Sequence, residues 1–278
     1  MHMTASAASY RLKNLEYTVG SELFLRTSKG MTPTPAGEVL TRHAKKLLAG
    51  VETMHTELSD YSSNLRGSLR VLANSSSLNG FLIPSLARFL TGNTGINVDL
   101  KEHENLKISG AIEEGVADIG IGADLDPLPS LERLLYAKDR LVCMTPPNHP
   151  LARASQTSFE EILDHDLVSM QRESSNFLFL SNQARLAGKT MKVRVHVHNF
   201  DSTLYMIEAG VGVGIVPASI AGRANVQGKL IALPMTDPWA ERTLHLVRRV
   251  ESGDQYNLIR QFSDILLNDP QVAETRQT

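Results

Sequence analysis

The sequence holds a single cysteine, Cys143, so no internal disulfide can form. It sits in the apolar run Leu141 to Met144 with no basic neighbour in sequence to stabilise a thiolate, the setting of a buried small hydrophobe and not of a nucleophile. Long apolar runs are also lacking: none approaches the roughly 20 residues that a bilayer span requires, and no secretory leader opens the chain. A soluble, cytoplasmic protein with no membrane partner is expected. Neither sign of charge dominates, the net being -2. There is no Gly-x-Ser-x-Gly elbow, P-loop or cysteine pair. Gly210, Gly212 and Gly214 form a glycine-rich stretch, but it follows a helical pattern and enters a strand, the reverse of a dinucleotide-binding turn. It reads as a helix stop and a close packing contact. His196 and His198 share one face of a strand, yet no cysteine or further histidine at ligand spacing accompanies them. No catalytic residue, metal or cofactor is therefore expected, and the chain does not read as an enzyme.

What is present is unevenly distributed. The 278 residues, 42% hydrophobic, suffice for at least one good core and about two domains. Residues 1–50 carry seven Lys/Arg against three Glu, a net of +4, which leaves -6 for the remainder. A basic end on an acidic body suits a nucleic-acid reader joined to a regulatory domain, although so few charges also allow a chance fluctuation.

The basic end has internal pattern. From Thr4 to Glu16, Ala8, Leu12 and Leu15 fall at helical spacing on one side, leaving Ser6, Ser9, Tyr10, Arg11, Lys13 and Asn14 free for phosphates or base edges. Leu23 to Thr27 and Met31 to Thr34 read as strand arms joined by Ser28, Lys29 and Gly30, presenting Arg26, Thr27 and Lys29 at the tip. An ordinary amphipathic helix beside an ordinary hairpin would show the same periodicity. The combination of Ser9, Leu15-Glu16, Leu23-Phe24-Leu25-Arg26 and Thr34-Pro35-Ala36-Gly37-Glu38 is more specific, and it resembles the winged helix-turn-helix of the LysR-type transcriptional regulators. That family places about two further helices ahead of the recognition helix, where this sequence begins almost on it. The resemblance thus implies a truncated winged helix-turn-helix over residues 1–33 and DNA binding weakened for the chain as numbered.

From Thr34 to Leu65 a helix is expected, with Thr34 as N-cap, Pro35 at the first helical position and Glu38 in the first turn. Leu40, Ala44, Leu47, Val51, Met54, Leu58, Tyr61 and Leu65 alternate four and three apart, an a/d seam. Pairing with a partner chain is the favoured reading, a helix docked on its own domain the lesser one. The resemblance implies the same: residues 34–66 form a dimerising linker, giving a homodimer or homotetramer.

Beyond Gly67 strand and helix patterns alternate, as in a mostly parallel sheet. Strands are expected at Leu69 to Ala73, Ile96 to Lys101, Asp118 to Gly122, Leu131 to Ala137, Arg140 to Thr145, Leu167 to Met170, Lys192 to His198, Gly214 to Val216 and Thr243 to Arg248. Helices are expected at Asn79 to Leu90, Lys107 to Glu114, Phe159 to Leu163, Phe177 to Ala187, Ser202 to Ala209 and Gln255 to Leu267. The α/β pattern suggests two lobes, 67–143 with 244–270 and 144–243, joined by crossings near Met144 to Pro147 and Arg242 to Leu244, with a tail at 271–278. It resembles the periplasmic-binding-protein-like effector domain of the same family. The overall expectation is a partial winged helix-turn-helix, a long linker helix and a two-lobed effector-binding domain.

Ligands in open α/β sheets bind beyond the carboxyl ends of strands. Three loops hold such positions: Asn74, Ser75, Ser76 and Ser77; Gln171, Arg172 and Ser174; and Asn199, Asp201 and Ser202. The first two would hold a carboxylate from opposite lobes with Arg172 as counter-charge, so a small metabolite such as an organic acid is the expected effector. Helix capping alone would also place these residue types there. The leading function is a transcription regulator that binds promoter DNA and answers to a small-molecule effector. A solute-binding protein, an enzyme on the same architecture and a DNA-binding-defective antagonist partner are the alternatives.

Overall fold

A computed structural model describes residues 4–27, 30–63, 67–224, 228–250 and 254–277. Its first helix, α1 (Ala5–Val19), starts at Thr4, whose side chain accepts from the Ala7 N–H, and stops at Gly20 in the left-handed region. Strands β1 (Phe24–Thr27) and β2 (Gly30–Pro33) form an antiparallel hairpin with Thr27 opposite Gly30. Three residues tie helix, hairpin and linker together. The Glu16 carboxylate accepts from the Leu23 and Phe24 N–H groups at 2.9 and 3.3 Å. Thr34 donates its hydroxyl to the Glu22 carbonyl at 2.7 Å and accepts from the Gly37 N–H at 3.1 Å. A β-carbon on Gly37 would lie 1.9 Å from the Leu23 carbonyl oxygen, so this close approach admits glycine alone.

Helix α2 (Pro35–Ser63) runs for 29 residues, about 44 Å at the standard rise. Leu47, Val51 and Met54 are exposed along it, while Leu40 and Ala44 are half-buried. The side chains of Leu58 and Tyr61, and all of Leu65, lie outside the described residues.

The first lobe is built from β3 (Gly67–Ala73), a helix that opens as α3 (Ser75–Ser77), widens into a π-turn at Leu78–Leu82 and continues as α4 (Ile83–Gly92), then β4 (Ile96–Glu102), α5 (Asn105–Glu113) and β5 (Ile119–Ala123). Strand β6 (Leu131–Thr145) carries the chain into the second lobe. There follow α6 (Phe159–Ile162), β7 (Leu167–Met170), α7 (Ser175–Leu186), β8 (Val193–Val197), α8 (Phe200–Glu208), β9 (Gly214–Pro217), α9 (Ala218–Ala224) and β10 (Ile231–Pro234). The return is made by β11 (Glu241–Arg249), α10 (Asp254–Leu267) and α11 (Pro270–Gln277). The strand order is β4-β3-β5-β11-β6-β10, with β9 also on β6, and β7 pairs β8 separately. The β3 pairings are parallel and those of β11 antiparallel. One apolar core packs Leu69, Phe81, Phe89, Ile121, Tyr136, Leu246 and Phe262 in the first lobe. Two more fill the second, around Leu141, Ile162 and Ile215 and around Met144, Phe200 and Val216.

Most expected elements are present, and four expectations are corrected. The two strands expected at Leu131 to Ala137 and Arg140 to Thr145 are one, because β6 pairs β11 through Arg140 and then β9 and β10 from Leu141 onward. The charged stretch between them is stabilised where it is buried: Asp139 is paired with Arg242. The helix expected from Asn79 begins at Ser75, since Asn74 caps it by accepting from the Ser77 N–H. Elements α9 and β10 have no counterpart among the expected elements, and the expected tail is largely α11, anchored by fully buried Val272.

Candidate functional site

Two regions gather the residues expected to bind. On the first, Ser6, Ser9, Tyr10, Arg11 and Lys13 are all exposed along α1, and Arg26 and Thr27 are exposed on the hairpin. Lys29 lies outside the described residues. Among the described residues Arg11, Lys13 and Arg26 make no ion pair, so their charge is available to an anionic partner. Thr27 instead donates its hydroxyl to the Gly30 carbonyl at 3.1 Å and holds the turn. Of the side read as apolar, Leu12 is half-buried and Ala8 and Leu15 are exposed.

The second region lies where the first turns of α3 and α7 meet across the lobes. The Ser75 N–H donates to the Ser175 hydroxyl at 2.8 Å, and the two hydroxyl oxygens are 3.0 Å apart. The Ser75 hydroxyl donates to Glu102 Oε1, which also accepts from the Ser175 N–H at 3.2 Å. Ser76 and Ser77 are buried beside them, and Ser77 Oγ has no partner among the described residues. Asn74 is committed to structure: beyond its cap, its amide donates to Asn105 Oδ1 at 2.8 Å, and that oxygen accepts from the Ala123 N–H at 3.2 Å.

The other expected residues divide. Ser174 caps α7, accepting from the Phe177 N–H at 3.1 Å. Gln171 reaches His198, its Nε2 lying 3.0 Å from the ring Nε2. Arg172 does not join the Ser75 to Ser175 contact. It is exposed and lines a separate groove along α7 and β8 with Phe177, Arg185, Lys189 and His196. Asn199 caps α8 through the Ser202 N–H at 2.8 Å, beside exposed Asp201.

Three residues of this region escaped the sequence reading. Ser175 directly follows Ser174 of the second loop without having been singled out, while Glu102 ends β4 and Asn105 lies just beyond it, the same kind of position as the three loops chosen. That positional rule was the available signal.

The features set aside above now have structural accounts. Among the described residues no group of three His, Cys, Asp or Glu is placed to hold a metal. His196 is half-buried, its Nδ1 2.9 Å from the Met170 carbonyl oxygen and its ring edge-on to Phe177. Gly210 is left-handed after α8, and a β-carbon on Gly212 would meet the Asp166 carbonyl at 2.4 Å, so the glycine stretch is a helix stop and a packing contact. Burial pushes the Cys143 thiol up to about 12. Among the described residues no helix is long and apolar enough to cross a membrane.

Comparison with known proteins places these regions in a family. Residues 62–270 match the LysR substrate binding domain, and residues 1–38 match the bacterial regulatory helix-turn-helix protein of the lysR family. An uncharacterized HTH-type transcriptional regulator of Methanocaldococcus jannaschii is 25% identical over 249 residues, covering 88% of this chain and 84% of that protein. A full-length OxyR variant from Pseudomonas aeruginosa superposes with a TM-score of 0.62 at 19% identity, covering 98% of this chain and 88% of the other. The regulatory domain of Synechocystis PCC6803 CcmR, solved in complex with 2-PG, does so with a TM-score of 0.60 at 19% identity, covering 77% and 99%. With a helix-and-hairpin end whose described cations Arg11, Lys13 and Arg26 make no ion pair among the described residues, and two lobes meeting at a serine contact, the chain belongs to the LysR family of transcriptional regulators.

Proposed function

We propose that this regulator binds promoter DNA as a dimer, or a pair of dimers, and that a small polar metabolite bound between its lobes sets its activity. Helix α1 would enter the major groove, with Ser6, Ser9, Tyr10, Arg11 and Lys13 toward the DNA and the hairpin residues Arg26, Thr27 and Lys29 on the flanking backbone. Helix α2 would join two chains along its exposed seam. The effector would contact Ser75, Ser76, Ser77, Ser174 and Ser175 from the two lobes, with Gln171, Asn199, Asp201 and Ser202 at the second-lobe rim.

The observation that carries this reading is the reciprocal contact of Ser75 and Ser175, 100 residues apart in sequence. It places donors and acceptors of both lobes at one point, so a ligand bound there changes how the lobes sit and, through α2, how two recognition helices are spaced. The 2-PG carried by the Synechocystis domain supports a small molecule in that role. The experiment is fluorescence anisotropy of the chain on DNA from upstream of its own gene, at two salt concentrations, against a scrambled competitor and a panel of polar metabolites. Specific, salt-sensitive binding that one metabolite shifts, and that Ser76→Ala no longer lets it shift, supports the reading. Metabolite-insensitive binding removes the effector role.

A further inference from the structure

The interlobe contact contains a group that the ligand reading does not use. Glu102 is the last residue of β4, and a single oxygen of its carboxylate, Oε1, accepts the hydroxyl proton of Ser75 from its own lobe and the backbone N–H of Ser175 from the other. That is the position a free carboxylate oxygen would take between the two lobes, with one donor from each. The second oxygen, Oε2, has no partner among the described residues, and Glu102 makes no ion pair there. The residue itself is exposed. Arg172, the cation that would neutralise a second anion, lines a different groove.

We propose that Glu102 is the cleft's resident anion and the residue that sets its ligand class. It satisfies the donors that a small acid would seek, and its own charge repels a second carboxylate from the same place. What the cleft admits is a ligand that brings N–H or O–H donors to Oε2, an amine or a polyol. Such a ligand leaves the bridge between Ser75 and Ser175 intact, whereas an acid would have to break it. This rests on the reading of the cleft as the effector site.

Acetate is the probe. Its binding to the full-length wild-type chain, Glu102→Ala and Glu102→Gln is followed by thermal shift at constant ionic strength, with chloride as control. In Glu102→Ala the two donors are vacated, and acetate should restore the melting temperature that the substitution lowers. In Glu102→Gln the amide oxygen can keep both bonds while the amide nitrogen offers a donor to the cleft, so this variant tests the charge even where the alanine variant folds poorly. Both variants should bind acetate roughly tenfold or more tightly than wild type, the worth of one charge-assisted contact. Equal response in all three proteins, or response in none, overturns the role of Glu102. Operator affinity read in the same samples separates the two ideas. Variants that gain acetate without any change on DNA leave Glu102 as the resident anion and sink the effector reading. A wild type that binds acetate as tightly as its variants overturns the resident anion, whatever its DNA response.

Discussion

Asp118 shows how much one side chain carries here. It is 2% exposed and accepts from the Arg70 backbone N–H at 2.7 Å, from Arg70 Nη2 at 2.7 Å and from Arg70 Nε at 3.3 Å. Arg70 lies on β3 and Asp118 directly precedes β5, so the pair fastens two neighbouring parallel strands. Removing Asp118 leaves the Arg70 backbone N–H without its acceptor and deprives the partly exposed Arg70 guanidinium, and that of Arg249 3.9 Å from the carboxylate, of this counter-charge, which costs on the order of 1–3 kcal/mol. Asp118→Ala is expected to lose about that much in urea unfolding, and Asp118→Asn, which keeps one acceptor oxygen, markedly less; equal losses would assign the effect to charge alone. Cys143 makes a second case. Fully buried, with its thiol pushed up to about 12, it should not react with a thiol reagent at pH 8 until the protein is unfolded. Prompt labelling of the native protein would mean that the second lobe opens far more readily than its packing implies.

At the scale of elements, the hairpin and its flanking helices form one unit locked by Glu16, Thr34 and Gly37. The backbone of Leu23 passes so close to Gly37 that a β-carbon would overlap its carbonyl, and Leu23 is itself fully buried. Gly37→Ala must therefore displace the hairpin from α2. Specific operator affinity should fall at least tenfold by anisotropy, on the order of 1.4 kcal/mol, with the melting of residues 67–277 unchanged. Unaltered affinity would show that the hairpin takes no part in reading DNA. This unit was legible in sequence because its motif residues make local contacts. The strands were legible too, since alternation survives wherever one face is buried. What could not be read depended on partners remote in sequence. The charges of Lys138, Asp139 and Arg140 look like a strand break until Arg242 is seen to pair with buried Asp139, 103 residues away. The serines after β3 look like a loop until Asn74 is seen to start a helix with them. Glu102 could have been chosen by its place at the carboxyl end of β4, but its bond to Ser175, 73 residues downstream, could not be read. Arg172, chosen for its charge, faces a groove whose existence only the packing of α7 on β8 reveals.

For the whole molecule, the proposed role of α2 is to bring two readers together. In a single chain its seam has nothing to cover it at Leu47, 73% exposed, or at Val51 and Met54, 47% and 48% exposed. Apolar residues repeated at this spacing on a helix of 29 residues are the pattern of a two-stranded coil. A second chain laid along it removes that surface from water at about 25 cal/mol per Å². It also ties two recognition helices together, so the second half-site is engaged at an effective concentration in the millimolar range. Replacing Leu47 and Met54 with Asp puts two like charges per chain into the seam. The double variant should run in light scattering at the mass of one chain, keep its circular dichroism, and melt as before over residues 67–277. Its operator affinity should fall by roughly a hundredfold or more as bivalency is lost. A variant that keeps both its assembly mass and its operator affinity would place the joining surface on the two lobes and leave α2 as a spacer.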